Sequence, residues 1–220
     1  MQIKEIYKGL LLPPNLQEHM FRVAQVVSTL KDHWQSTQQP DWNFLIRAAL
    51  LHDVGNIVKF DLDNHPEFLG EEVVHIEYWR KVKEETVAKY GSDDHEATRK
   101  MLREIGVEER IISLVQEKSF SNAVEVAAGE DLNAKILLYA DLRVMPHGIV
   151  TLEDRINDIK TRMPQYTKRE DFPALIEATR NIEKYIAGNL NRSLAEIDWA
   201  REGWSTEALC AIEVTWPLNS

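Results

Sequence analysis

A chain of 220 residues with 44% hydrophobic content can bury a substantial core, and none of its apolar runs approaches the roughly 18 to 20 residues that span a bilayer. A formal net charge of −10 has the wrong sign for an extended nucleic-acid surface, which needs a basic patch to displace counterions. The single cysteine, Cys210, excludes an intramolecular disulfide and a cysteine-rich zinc site, and reads as a small buried apolar residue.

Apolar residues recur at helical spacing along almost the whole chain and strand-like alternation is nearly absent, so the expected fold class is all-α. Leu10-Leu11-Leu12 ends at Pro13-Pro14 without the long apolar core and cleavage site of a secretory signal, which points to a soluble cytoplasmic protein. Leu16, Met20, Val23, Val27 and Leu30 form one stripe of a helix over about 15–33, with His19 in its first turns. After a polar linker at 35–40, Asp41 can cap a helix through Phe44, Leu45, Ala48 and Leu51. His52-Asp53 falls at its carboxyl end, where Gly55 reads as the stop.

Residues 56–70, with Asp61, Asp63, Asn64, Pro66 and Gly70, read as a loop, a candidate lid. Helices follow over about 71–90, from Ser92-Asp93-Asp94 to Ile105, and over about 108–118, and residues 119–131 read as a linker. An apolar helix runs from Leu132 to about Met145 and is broken by Pro146-His147-Gly148. Thr151-Leu152-Glu153-Asp154 opens the next helix, to Met163, and the last long helix starts near Asp171-Phe172-Pro173. The helical domain is placed at 1–190, and 191–220 is read as a tail packing on it, because tryptophans 199, 204 and 216 are poor solvent-exposed residues.

Asp141 interrupts the apolar series Ile136 to Ala140. A buried carboxylate needs a cation, an arginine or several hydrogen-bond donors. Two readings stand side by side. Taken singly, His19 is a surface residue, His52-Asp53 a helix-end pair, and Asp141 the partner of Arg143 or Arg155. Taken together, His19, His52, Asp53 and Asp141 converge from three helices on one divalent ion. Such a mixed nitrogen and oxygen set suits Mn, Fe, Co, Ni, Zn or Mg without selecting among them.

The order His, then His-Asp, then a distant Asp resembles the HD-domain superfamily of metal-dependent phosphohydrolases. Glu18-His19-Met20-Phe21-Arg22-Val23-Ala24 is similar to the family's first histidine helix, and Ala48-Ala49-Leu50-Leu51-His52-Asp53-Val54-Gly55-Asn56 to its signature. Ala140-Asp141 with Thr151-Leu152-Glu153-Asp154-Arg155-Ile156 is similar to its final aspartate segment, and the likeness covers roughly 15–160. It implies a compact multi-helix bundle with the metal site between core helices. It also implies hydrolysis of a phosphate ester of a small metabolite, nucleotides included, by metal-activated water.

His95 resembles the added histidine of two-metal relatives. Those relatives carry a further histidine in the next helix, where this chain reads Ser113-Leu114-Val115-Gln116-Glu117-Lys118, so one metal is expected, with Glu117 the remaining oxygen donor. Asp53 is both ligand and candidate proton acceptor. Some family members place a carboxylate just after the signature, where this chain has Asn56; Asp61, Asp63 and Glu67 follow on the next stretch. Arg22, Lys59 and His95 are the candidate substrate-binding residues, His65 and His75 stay open, and His33 and His147 are assigned to solvent or loop hydrogen bonds. The alternatives are a non-catalytic domain of this type that binds a nucleotide or partner, and a di-iron oxygenase on the same scaffold.

Overall fold

Proline and capping side chains set where the helices begin. The computed structural model describes residues 1–214. Helix α1 (Ile3–Gly9) is followed by Pro13-Pro14, and α2 (Pro14–His33) takes Pro14 at its first position, where the missing N–H is no loss. The Asp41 carboxylate accepts the Phe44 N–H at 3.2 Å and opens α3 (Trp42–Leu51). After a 3-10 turn at Asn56–Lys59 and a 3-10 segment at Pro66–His75 come α4 (Ile76–Tyr90), α5 (Asp94–Glu104) and α6 (Glu109–Glu117). Then follow α7 (Ala123–Ala128), α8 (Leu132–Leu142) and a two-residue antiparallel hairpin of β1 (Val144–Met145) and β2 (Gly148–Ile149). The order closes with α9 (Leu152–Arg162), α10 (Pro164–Thr167), α11 (Phe172–Ala187) and α12 (Thr206–Cys210). The architecture is all-α apart from this hairpin, among the described residues.

Helices α2, α3 and α8 make the centre. Helix α3 is apolar nearly all round and buries Leu45, Ile46, Ala48, Ala49, Leu50 and Leu51, and α8 buries Ile136, Leu137, Leu138, Tyr139 and Ala140. A helix without a polar face belongs in the interior. Both pack on α2, which contributes Met20, Val23, Ala24, Val27 and Leu30. No helix among the described residues is long and apolar enough to cross a membrane.

Five expectations need correction. The stretch 56–70 is not a plain loop, because its first four residues and Pro66–His75 are wound as 3-10 helix, with Gly70 (φ 59°) kinking the second segment. Consequently α4 starts at Ile76 and not near 71. The 119–131 linker contains a 3-10 turn and α7. Helix α8 stops at Leu142, since Val144 and Met145 pair with Ile149 and Gly148. Cys210 is half-buried.

Gly55 plays a different part from a helix stop. Helix α3 ends at Leu51, and Gly55 has ordinary right-handed backbone angles. What requires glycine is the approach of α5: a Cβ there would lie 2.4 Å from the Thr98 backbone nitrogen and 2.9 Å from its Cα. The Gly55 N–H also donates to Thr98 Oγ1 at 3.1 Å. The Tyr7 hydroxyl donates to the Leu50 carbonyl at 2.6 Å, so α1 and α5 both brace the turn that follows α3.

The segment after α11 contacts α2 again. Gln25 donates to the carbonyls of Trp199 and Glu202, and the Trp204 N–H donates to Ser28 Oγ at 2.9 Å. The Arg143 guanidinium lies 4.4 Å from the Trp199 ring centroid. Trp216 falls outside the described residues.

Gly55→Ala is expected to lower the stability by about 1–3 kcal/mol, because the contacted atoms are backbone and cannot give way cheaply. Gly9→Ala, whose Cβ would meet nothing within 4 Å, is the control and should leave the urea midpoint nearly unchanged. Equal midpoints for the two variants would contradict the close-approach account.

Candidate metal centre

Helix α2 carries His19 toward the end of α3, where His52 is the C-cap and Asp53 the next residue, and α8 presents Asp141 from its last turn. Their four donor atoms meet. His19 Nε2 lies 3.2 Å from His52 Nε2, 3.6 Å from Asp53 Oδ2 and 3.2 Å from Asp141 Oδ1. His52 Nε2 lies 3.6 Å from Asp53 Oδ2 and 3.4 Å from Asp141 Oδ1. Donors each about 2.1 Å from a shared ion stand about 3.0 to 3.4 Å apart in octahedral or tetrahedral arrangement, so the set fits a divalent metal in both chemistry and spacing. Among the described residues this is the group of histidines and acids able to hold an ion.

Local bonds fix how the donors point. The Nδ1–H of His52 donates to the Ala49 carbonyl at 2.7 Å, which leaves Nε2 with its lone pair toward the cluster. Asn56 donates its amide to Asp53 Oδ2. The site is graded in exposure: the His52 side chain is 0% exposed, Asp53 12%, Asp141 22% and His19 23%, so a ligand would enter on the His19 and Asp141 side.

Asp141 is paired with neither arginine considered from the sequence. Arg143 instead binds the Tyr139 hydroxyl at 2.5 Å and the Val150 carbonyl, and Arg155 binds Asp158 at 2.9 Å. The partner is Lys118. Its buried ammonium donates to Asp53 Oδ1 at 2.6 Å and to Asp141 Oδ2 at 3.2 Å. Lys118 is passed over in the sequence because a lysine at a helix end is ordinarily solvated. The signal was available, since Lys118 extends the spacing of Ile111, Leu114 and Val115 on the buried face of α6, where a charge needs a reason as much as Asp141 does.

Burial pushes the Asp53 carboxyl up, but Lys118 and His52 outweigh it and hold the group well below the usual carboxylate range. Asp141 follows the same pattern: burial raises it, and Lys118, with the two histidines beside it, brings it well below. For Lys118, burial pulls the ammonium down and the two carboxylates raise it above the ordinary lysine value. Depressed aspartates stabilise the fold above their unfolded value of about 4 and lose that contribution as the pH falls from there toward their lowered folded value; a raised lysine stabilises it below about 10 and loses the contribution as the pH rises from there toward its raised folded value.

The remaining candidates lie around this centre. Lys59 is 51% exposed, pairs with Asp94 at 2.7 Å, and is close enough for its charge to help hold Asp53 down. Arg22, one turn along α2 from His19, binds Glu18 and the Pro146 carbonyl at 2.8 Å in the hairpin turn. His95 is exposed at the start of α5. Glu117 is exposed and lines a groove with Phe44, Arg110 and Asn133, away from the four donors. His65 pairs with Glu67 at 2.9 Å, His75 and His147 are exposed, and His33 binds Glu202 at 2.5 Å and Asn191 at 3.1 Å.

A family model described as the HD domain matches residues 16–144, a span that holds all four donors and Lys118. No curated protein and no solved structure matches the chain.

Elemental analysis after saturation and gel filtration should find about one divalent ion per chain, and folded His52→Ala and Asp53→Ala should lose at least about 10- to 100-fold in metal affinity. Undiminished metal content in the folded variants would contradict the assignment. At about 100 times the dissociation constant the ion should add about 2.7 kcal/mol to the stability of the wild type.

Proposed function

Because the chain belongs to the HD domain family, we propose that it is a metal-dependent phosphohydrolase that cleaves a phosphate ester of a small metabolite, nucleotides included. The observation behind this reading is the convergence of two imidazole nitrogens and two carboxylate oxygens at a point that is closed on the His52 side and open on the His19 side. His19, His52, Asp53 and Asp141 are the residues that would hold one ion of Mn, Fe, Co, Ni, Zn or Mg. A divalent ion held there supplies Lewis-acid polarisation of a phosphoryl oxygen and a nucleophile at neutral pH.

The chain's own side chains supply placement. His52 is locked by Ala49, and Asp53 is held on one oxygen by Asn56 and on the other by Lys118. With both oxygens engaged, Asp53 is better suited to ligation than to accepting a proton. Lys59 stands at the rim in an exposed ion pair with Asp94. Such a pair is worth little, so the ammonium can turn to a phosphate at small cost. Arg22 and His95 extend the polar rim on the α2 and α5 sides, and we assign them to the non-transferred part of the substrate.

One feature favours a second reading, a binding module without turnover: position 56 carries no carboxylate, and Asn56 spends its amide on Asp53.

A panel of phosphate monoesters, diesters and nucleotides, assayed with chelator and with each divalent ion, separates the two. Metal-dependent phosphate release, reduced at least about 100-fold in Asp53→Ala, is expected. Lys59→Ala should raise KM about tenfold with a smaller effect on kcat. Nucleotide binding without release under every ion would favour the binding module.

A further inference from the structure

Asp53 and Asp141 each turn one oxygen toward the histidines and the other toward Lys118. The inner pair, Asp53 Oδ2 and Asp141 Oδ1, lies 3.2 to 3.6 Å from the imidazole nitrogens. The outer pair, Asp53 Oδ1 and Asp141 Oδ2, receives the Lys118 ammonium at 2.6 and 3.2 Å. The lysine therefore does not stand where the ion would. Each carboxylate thus offers one oxygen to the four-donor point and its other oxygen to the ammonium.

We propose that Lys118 is a built-in second cation of this centre, restricting it to one metal ion and supplying the positive charge that a second ion would bring. This inference rests on the metal reading of the four donors. Two aspartates and one ammonium carry a net charge of −1, since −1 − 1 + 1 = −1. A divalent ion brings the loaded centre to +1, where the same centre without the lysine would be neutral. A net positive centre attracts an anionic phosphate ester.

The position of the lysine explains why it stays charged and in place. Its side chain is only 9% exposed, and the α6 face on which it lies is otherwise Ile111, Leu114 and Val115. An unpaired ammonium there would be expensive, and the two carboxylate oxygens compensate it. Among the described residues the acids and histidines grouped to hold an ion are the four donors alone, and Glu117, the adjacent acid, lines a separate groove with Phe44 and Arg110.

Removing the charge separates this role from a structural one, because binding and turnover then move in opposite directions. The probe is Mn(II) or Zn(II) alone, titrated into chelator-stripped protein by competition with a chromophoric indicator. Wild type is expected to saturate at one ion per chain. Lys118→Met should bind that ion at least about tenfold more tightly, since the repulsion from the ammonium is gone and two facing carboxylates are left for the ion to neutralise. Its hydrolysis of the best ester should fall at least about tenfold. Lys118→Arg keeps the charge and should stay near the wild-type affinity, and Lys118→Gln serves as the neutral variant if the methionine protein does not fold.

Weaker or unchanged metal binding in the neutral variants, with one ion still held by the wild type, would overturn the lysine's role and leave the metal site standing. Two ions per wild-type chain would overturn it as well. A wild type that binds no ion would instead remove the metal reading, and this inference with it.

Discussion

Two aspartates brought together inside a protein cannot both remain ionised unless cations stand between them, and the centre of this molecule is arranged around that constraint. Asp53 and Asp141 come from the ends of two helices that are otherwise almost wholly apolar. Burial alone would drive both carboxyls toward their neutral form, yet both are held well below the ordinary range, because Lys118 and the histidines act in the other direction. Hydrophobic packing of α2, α3 and α8 makes the arrangement affordable: each fully buried Leu or Ile contributes about 1.5–3 kcal/mol, and the three helices bury many.

The same constraint gives the surrounding elements their roles. Gly55 lets α5 approach the turn that carries His52 and Asp53, and Thr98 answers with a hydrogen bond to its N–H. Tyr7 braces the Leu50 carbonyl from α1. Helix α6 delivers one long side chain whose stem follows its apolar face and whose ammonium reaches both acids. Among the four donors His19 and Asp141 are the most exposed, and Lys59, whose charge reaches Asp53, sits in an ion pair weak enough to exchange for a phosphate.

Much of this could be read from the residues alone, for identifiable reasons. Long amphipathic or apolar helices announce themselves by period, so α2, α3, α8 and α11 were legible, and an acid inside an apolar run flagged Asp141. The 3-10 segments at Asn56–Lys59 and Pro66–His75 were not, because they do not keep the 3.6-residue period and Gly70 breaks the longer one. Helix α7 and the hairpin strands are too short to carry a pattern. Gly55 was misread because a helix stop and a close backbone approach both call for glycine, and only the neighbour, Thr98, distinguishes them. Lys118 escaped because a lysine at a helix end is ordinarily a solvated residue, and its partners lie 65 and 23 residues away in sequence.

X-ray absorption at the metal edge of the saturated wild-type protein tests the central claim most directly, because it reads the donors around the ion. The account expects a single shell of nitrogen and oxygen near 2.1 Å, approximately, with outer-shell scattering from two imidazoles and no metal neighbour. A second metal scatterer at about 3.5–4 Å, as in two-metal hydrolytic sites, or a shell without imidazole, would contradict it.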